Sequence, residues 1–357
     1  MGRYGPIVRV VSVVGARPQF VKLAPVAEAL EQVAADHVIV HTGQHYDERM
    51  SQSFFDELTI PSPDVNLEIG SADHGAQTGR MMEGLEEVLQ RQQPDWVLTY
   101  GDTNSTLAAA VVAVKLHQPL AHLEAGLRSF NRAMPEEHNR VLTDHASDLL
   151  LAPTATAMAN LDREGIGGRS ELVGDVMADV CLRVAKAATL QLPDGVDPRE
   201  PYLVATIHRA ENTDVPDRLE AIVRGLQAQP VPVVLAVHPR LAEKAQTQGL
   251  ELARGAVIPT VPFSYPEMVA AVAGAAGVVT DSGGLQKEAY LLGTPCTTLR
   301  TETEWVELLD TGWNKLDSDI AEPGTWLFQP PEVMSPRDLY GDGAAAVRVA
   351  EQLVNRN

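Results

Sequence analysis

Cysteine is nearly missing from this chain: its 357 residues include two, Cys181 and Cys296, far apart. That excludes a disulfide framework and a cysteine zinc site, and it fits a reducing cytoplasm. Positive charge is scarce too. The 28 Lys and Arg stand against 48 Asp and Glu, a formal net charge of −20. Such a field excludes non-specific attraction to nucleic acid or to an anionic membrane surface. It does not exclude a small anionic ligand, because local Arg, His and helix termini can override it. No apolar run is long enough to span a membrane. Residues 7–14 are short, β-branched and lead straight into Gly-Ala-Arg-Pro. They read as a buried first strand rather than a signal peptide. Internal repeats, low-complexity tracts, a Walker motif and a Gly-x-Ser-x-Gly elbow are all missing. No His, Cys or carboxylate spacing names a metal, so no metal is expected.

What is present is 45% hydrophobic residues, enough for sizeable cores, in a chain long enough for two domains. Strand-like apolar runs alternate with helical patterns through the first half. The strands fall at 7–14, 37–42, 95–100, 119–124, 148–152 and 171–174. The helices fall at 20–34, 48–58, 77–91, 105–116, 136–146 and 154–164. A Pro-rich piece at 192–201 reads as an interdomain linker. The alternation then restarts with strands at 202–207, 231–237, 256–258, 277–280 and 295–299, and ends in a helix at 344–354. Strands separated by helices imply an α/β fold with parallel sheets, here two Rossmann-like doubly wound domains facing a cleft. The expected domains are 1–175 and 176–339, with 340–357 returning to the first.

In such sheets ligands gather beyond the carboxyl ends of the strands. The polar residues of interest follow apparent strands. Gly15-Ala-Arg17-Pro lacks the dinucleotide Gly-x-Gly-x-x-Gly fingerprint but offers two cations, Arg17 and Lys22, spaced to clamp an anion. Asp102 follows a strand, where it could cap the helix starting near Ser105 and still face the cleft. Glu124 ends a strand that should be buried, where a carboxylate must pair or serve as acid or base. Glu136 and Glu137 follow Pro135 at a helix start, partly favoured by the helix dipole. Several carboxylates near one site suit proton abstraction and return at a carbon. His208 and Arg209 follow the first strand of the second domain and suit phosphate oxygens. Thr280-Asp-Ser282-Gly283-Gly284 joins a strand to a helix, a geometry that points free N–H groups at a phosphate. An ordinary strand–helix turn with small residues would look the same.

Taken in order, these stretches carry a resemblance. Arg17-Pro-x-x-x-Lys22, Gly101-Asp102-Thr, His122-x-Glu124-Ala-Gly-Leu-Arg128, Pro135-Glu-Glu-x-Asn-Arg140, His208-Arg-x-Glu-Asn, Thr280-Asp-Ser-Gly-Gly-x-Gln-x-Glu288 and Tyr340-Gly-Asp-Gly resemble the non-hydrolysing UDP-N-acetylglucosamine 2-epimerases over nearly the whole chain. The resemblance implies a GT-B-type fold, a UDP-sugar substrate, no cofactor and a homodimer. It also implies loss of the C2 proton as UDP leaves C1, giving 2-acetamidoglucal, then re-addition with protonation on the other face. Asp102, Glu124 and Glu136 become the acid/base candidates. Arg17 and His208, the latter counted also among the catalytic residues, would hold the diphosphate with Lys22, Ser282 to Gly284 its other side, Glu288 the ribose, and Tyr265–Met268 the uracil.

Three departures qualify the likeness. Ala210 stands where the family commonly has a second Arg, Gln19 where it has Glu, and Trp305-Val306 where it has Arg-Pro. These variants resemble a branch that includes enzymes acting on UDP-2,3-diacetamido-2,3-dideoxyglucuronic acid. Gln44, Arg80 and His238 match parts of an allosteric UDP-N-acetylglucosamine site that some bacterial members carry, while Ala210 removes a cation from it. Two other functions fit the same turn chemistry: a glycosyltransferase of the same fold, and a nucleotide-sugar binding protein without turnover.

Overall fold

The structure, a computed structural model, describes residues 7–44, 61–303, 305–317, 326, 327, 329 and 339–356. The expected helix at 48–58 lies outside the described residues, as do 304, 318–325, 328 and 330–338.

It divides into two compact units, one running to Val180 and taking in the residues from Leu339, the other running from Cys181 to Asp338. The first unit is built on seven strands: β1 (Arg9–Val14), β2 (Asp36–His41), β3 (Val65–Asn66), β4 (Trp96–Tyr100), β5 (Leu120–Leu123), β6 (Leu149–Ala152) and β7 (Ser170–Leu172). They lie in the order β3-β2-β1-β4-β5-β6-β7, every pairing parallel. Runs such as Val10-Val11-Ser12-Val13-Val14 and Leu149-Leu150-Leu151 are buried on both faces. That double burial is why they read as continuous apolar runs rather than alternating ones. Helices α1 (Arg17–Gln32), α2 (His74–Gln92), α3 (Asn104–Lys115), α4 (Pro135–Ala146) and α5 (Ala155–Arg163) connect them.

The helix starts follow local chemistry. Thr154 caps α5 by accepting from the Ala157 amide. Thr103 caps α3 in the same way with Thr106, so the cap is Thr103 and not Asp102, leaving the Asp102 carboxylate for another use. Pro135 opens α4, with Glu136 and Glu137 in its first turn.

Helix α6 (Val176–Ala187) carries the chain across the division between the units. In the second unit β8 (Leu203–Thr206), β9 (Val233–Ala236), β10 (Val257–Thr260), β11 (Gly277–Thr280), β12 (Cys296–Thr298) and β13 (Asn314–Leu316) make a six-stranded sheet in the order β10-β9-β8-β11-β12-β13, again all parallel. Helices α7 (Ala210–Thr213), α8 (Pro216–Gln227), α9 (Pro239–Thr247), α10 (Tyr265–Ala273), α11 (Gly283–Leu292) and α12 (Val306–Asp310) accompany it. The short β3, β13, α7 and α12 have no counterpart in the sequence reading.

Helix α13 (Ala345–Asn355) belongs to the first unit and packs with α1. Asp179 accepts from the amides of Ala345 and Ala346 at 3.1 and 2.7 Å, satisfying the free N–H groups of the α13 start. Trp96 Nε1 donates to the Leu353 carbonyl at 3.0 Å. Among the described residues no helix is long and apolar enough to cross a membrane.

Candidate active site

Each sheet reverses its strand order once, between β1 and β4 in the first unit and between β8 and β11 in the second. Open parallel sheets bind ligands at such a switch point, beyond the strand ends. The loops there are Gly15–Ala16 and Gly101–Asp102 in the first unit, and His208–Arg209 and Asp281–Ser282 in the second. The polar motifs of the sequence therefore mark the switch points of their own sheets.

In the first unit, Glu124 follows β5 with φ +69°, a left-handed conformation that is costly for a side chain with a Cβ. Its amide and that of Ala125 both donate to the Leu151 carbonyl, holding the turn. The carboxylate is 8% exposed and pairs with Lys22, which is 12% exposed. Gly101, with φ +60°, lies under this pair; a Cβ there would sit 3.3 Å from Lys22 Nζ and 3.4 Å from Glu124 Oε2. A side chain there would be strained by the backbone and would crowd the pair.

Asp102, the next residue, pairs with Arg140 of α4. Arg140 also lies 3.4 Å from Glu137. The two adjacent glutamates of α4 differ sharply. Glu137 is buried and accepts from the Ser129 amide and hydroxyl and from the Phe130 amide, at 2.8, 2.9 and 3.0 Å. It is committed to anchoring its loop. Glu136 is exposed. Arg17 opens α1, and its side chain lies outside the described positions.

Gln19 explains itself once the fold is present. Its Oε1 accepts from the amides of Gly15 and Ala16 at 2.8 and 3.0 Å, and its Nε2 donates to the Tyr100 carbonyl at 2.7 Å. It locks the loop after β1 to the end of β4. A carboxylate at this position would have no hydrogen for Tyr100. Gln44 is also held inside, its Oε1 accepting from the Ser105 amide and hydroxyl at 3.1 and 2.7 Å. Arg80 is exposed on α2.

The second unit is organised around Asp281, a residue the sequence reading passed over between Thr280 and Ser282. It is fully buried and accepts from the amides of His208 and Arg209 and from Asn212 Nδ2, at 3.0, 2.9 and 2.9 Å. Burial alone would raise its pKa. The hydrogen bond and charge of His208, with those donors, outweigh burial and hold the carboxyl below its ordinary range. His208 Nδ1 lies 3.0 Å from Asp281, so Nδ1–H donates and the ring orientation is fixed. The His238 ring lies 5.5 Å from the His208 ring, and its Nδ1 accepts from the Arg240 amide at the α9 start. Burial, then the neighbouring His208, lowers its pKa.

Ser282 caps α11 by accepting from the Leu285 amide, so the helix begins at Gly283, two residues earlier than expected. Gly284 is exposed, and a Cβ there would meet nothing within 4 Å. Trp305 of the departing motif donates from Nε1 to the Gly283 carbonyl at 3.0 Å, and Lys287 lies 4.4 Å from its ring. Gln286 Oε1 accepts from Thr303 and Asn314 at 2.7 and 2.9 Å. These contacts pin the start of α11. The Tyr265 hydroxyl lies beside Glu288; burial first, then that carboxylate, pushes its pKa far up. Met268 packs on the core under α10.

A family model described as UDP-N-acetylglucosamine 2-epimerase matches residues 28–354. The chain is 46% identical to a Pseudomonas aeruginosa protein named UDP-2,3-diacetamido-2,3-dideoxy-D-glucuronate 2-epimerase, covering 97% of this chain and 99% of that one. It is 40% identical to a Methanocaldococcus jannaschii UDP-N-acetylglucosamine 2-epimerase, covering 96% and 97%. A crystal structure of the UDP-GlcNAc 2-epimerase of that organism, in complex with UDP-GlcNAc and UDP, superimposes with a TM-score of 0.81 at 38% identity, over 98% of this chain and 100% of the other. The fold is thus of the GT-B type. With its motifs set at the switch points of two parallel sheets and a family match over nearly its whole length, the chain belongs to the UDP-N-acetylglucosamine 2-epimerase family.

Proposed function

We propose that the chain is a non-hydrolysing 2-epimerase of a UDP-linked 2-acetamido sugar, with UDP-N-acetylglucosamine as the first candidate substrate. The carrying observation is the group of carboxylates in the first unit, with Glu124 on a strained turn against Lys22 and Asp102 against Arg140. A C2–H beside an acetal is weakly acidic, so departure of UDP must accompany its removal. A carboxylate takes the C2 proton while the C1–O electron pair leaves with UDP, and 2-acetamidoglucal remains. Re-addition of UDP to C1, with a proton delivered to the other face of C2, completes the inversion. Two faces call for more than one acid/base group, and Asp102, Glu124 and Glu136 are the candidates. His208, oriented by Asp281, and the start of α11 would stabilise the charge of departing UDP, with Arg17 and Lys22 as further cations. Glu288 would receive the ribose.

A second substrate, UDP-2,3-diacetamido-2,3-dideoxyglucuronic acid, is favoured by the 46% identity to the Pseudomonas aeruginosa protein of that name and by Gln19, Ala210 and Trp305. One experiment addresses both. Each UDP-sugar is incubated alone with the protein in deuterated water and C2 is followed by NMR. The reading expects deuterium at C2 and a gluco/manno mixture, faster with the true substrate. Absence of C2 exchange with both would overturn it in favour of a transferase or a binding protein. Glu124→Gln should abolish exchange while leaving UDP affinity within about tenfold.

A further inference from the structure

His122 of β5 is wholly buried, and both ring nitrogens face oxygens. Nε2 lies 2.7 Å from the Gly101 carbonyl and Nδ1 lies 2.7 Å from Asp144 Oδ1. A carbonyl only accepts, so Nε2 donates. The other Asp144 oxygen already accepts from the Gly126 amide and from Arg128 Nη1, at 3.0 and 2.7 Å, the pattern of an ionised carboxylate. Nδ1 faces the remaining oxygen of that carboxyl group. Burial works to raise the Asp144 pKa, but the charge of His122 and then of Arg128 prevail and lower it. Arg128 forks in turn onto Glu164 at 2.7 and 2.8 Å. Buried ion pairs of this kind are a poor source of stability compared with apolar packing. What this one holds is specific. Gly101 precedes Asp102, and His122 and Gly126 bracket Glu124, with Gly101, Glu124 and Gly126 all at positive φ. One buried side chain thus ties the turn that bears Asp102 to the turn that bears Glu124.

We propose that His122, oriented by Asp144, is a positioning residue for the proton transfers: it sets Asp102 and Glu124 relative to each other without touching substrate. The inference rests on the epimerase reading above. Its test compares His122→Gln, whose amide can still donate toward Gly101, with His122→Asn, which reaches only toward Asp144. Misplacing a catalytic group by about 1 Å can cost 10²-fold, so His122→Asn should slow C2 exchange by about that factor, with UDP affinity within about threefold. His122→Gln should recover about tenfold or more of the loss. Ring ¹⁵N spectra of the wild-type protein should show a proton on His122 Nε2, a measurement that needs no variant to fold. Exchange by a folded His122→Asn within about threefold of wild type would overturn the proposal. So would a His122→Gln as slow as His122→Asn, or a bare Nε2. Failure of the wild-type protein to exchange either UDP-sugar would remove the epimerase reading and this inference with it. A difference between variants and an active wild type bears on His122 alone.

Discussion

Lys22 and Glu124 meet as a nearly buried ion pair between α1 and the turn after β5. Removing either partner strands the other charge in a poorly solvated place. Lys22→Met and Glu124→Gln should each cost roughly 3 kcal/mol in urea unfolding, while the double variant should lose well under the sum of the two. Strictly additive losses would mean that the two side chains do not depend on each other.

The start of α11 gives a prediction of opposite sign for folding and binding. Gly284→Ala adds a methyl that meets nothing in the fold and gives a better helix former, so stability should rise by about 0.5–1 kcal/mol. If UDP phosphates approach these amides closely, the same methyl should weaken UDP binding by about tenfold or more in calorimetry. Unchanged UDP affinity would place the phosphates elsewhere.

Gly126 makes the contrasting case. It has φ +84°, and an added Cβ would sit 2.4 Å from the Ala157 carbonyl oxygen. A backbone atom cannot swing aside, so Gly126→Ala should lose about 3 kcal/mol or more, seen as a lower urea midpoint at unchanged m-value. A midpoint like that of wild type would show that the turn is looser than its geometry implies.

His37 of β2 supplies a pH dependence. Burial lowers its pKa from 6.5 to about 4, against the opposing charges of Asp64 and Asp36, and its Nε2 sits 2.8 Å from Ser12 Oγ. The unfolded chain therefore binds a proton between pH 6.5 and 4 that the folded chain does not. Its contribution is intact above pH 6.5 and is lost as pH falls toward 4. The size is on the order of 3 kcal/mol. His37→Gln should flatten the stability profile over that window relative to wild type. Parallel profiles for the two proteins would exclude His37 as the source.

Much of the fold was legible because parallel strands buried on both faces leave unmistakable apolar runs, as at Val10–Val14 and Leu149–Ala152. The strands β3 and β13 were not, since two or three residues such as Val65-Asn66 become a strand only through their neighbours. At the site, the burial of Glu124 and the residues of the two switch points could be read from position after a strand. The reading of Asp102 as a cap failed because Thr103, one residue on, offers a hydroxyl with the right partner in Thr106. Gln19, Asp144 and Asp281 act through partners up to 87 residues away, and no local pattern announces such pairings. Glu136 and Glu137 look alike in sequence, and only the loop at Ser129–Phe130 separates an anchoring carboxylate from an exposed one.

The return of α13 to β4, through Trp96 and Leu353, makes the first unit discontinuous along the chain. Synthesis runs from the N-terminus, so the last piece of that unit leaves the ribosome after all of the second unit. The first unit, which holds the carboxylates, keeps the flank of its sheet near Trp96 uncovered until that last piece arrives, and a chain cut at Asp338 would lack it.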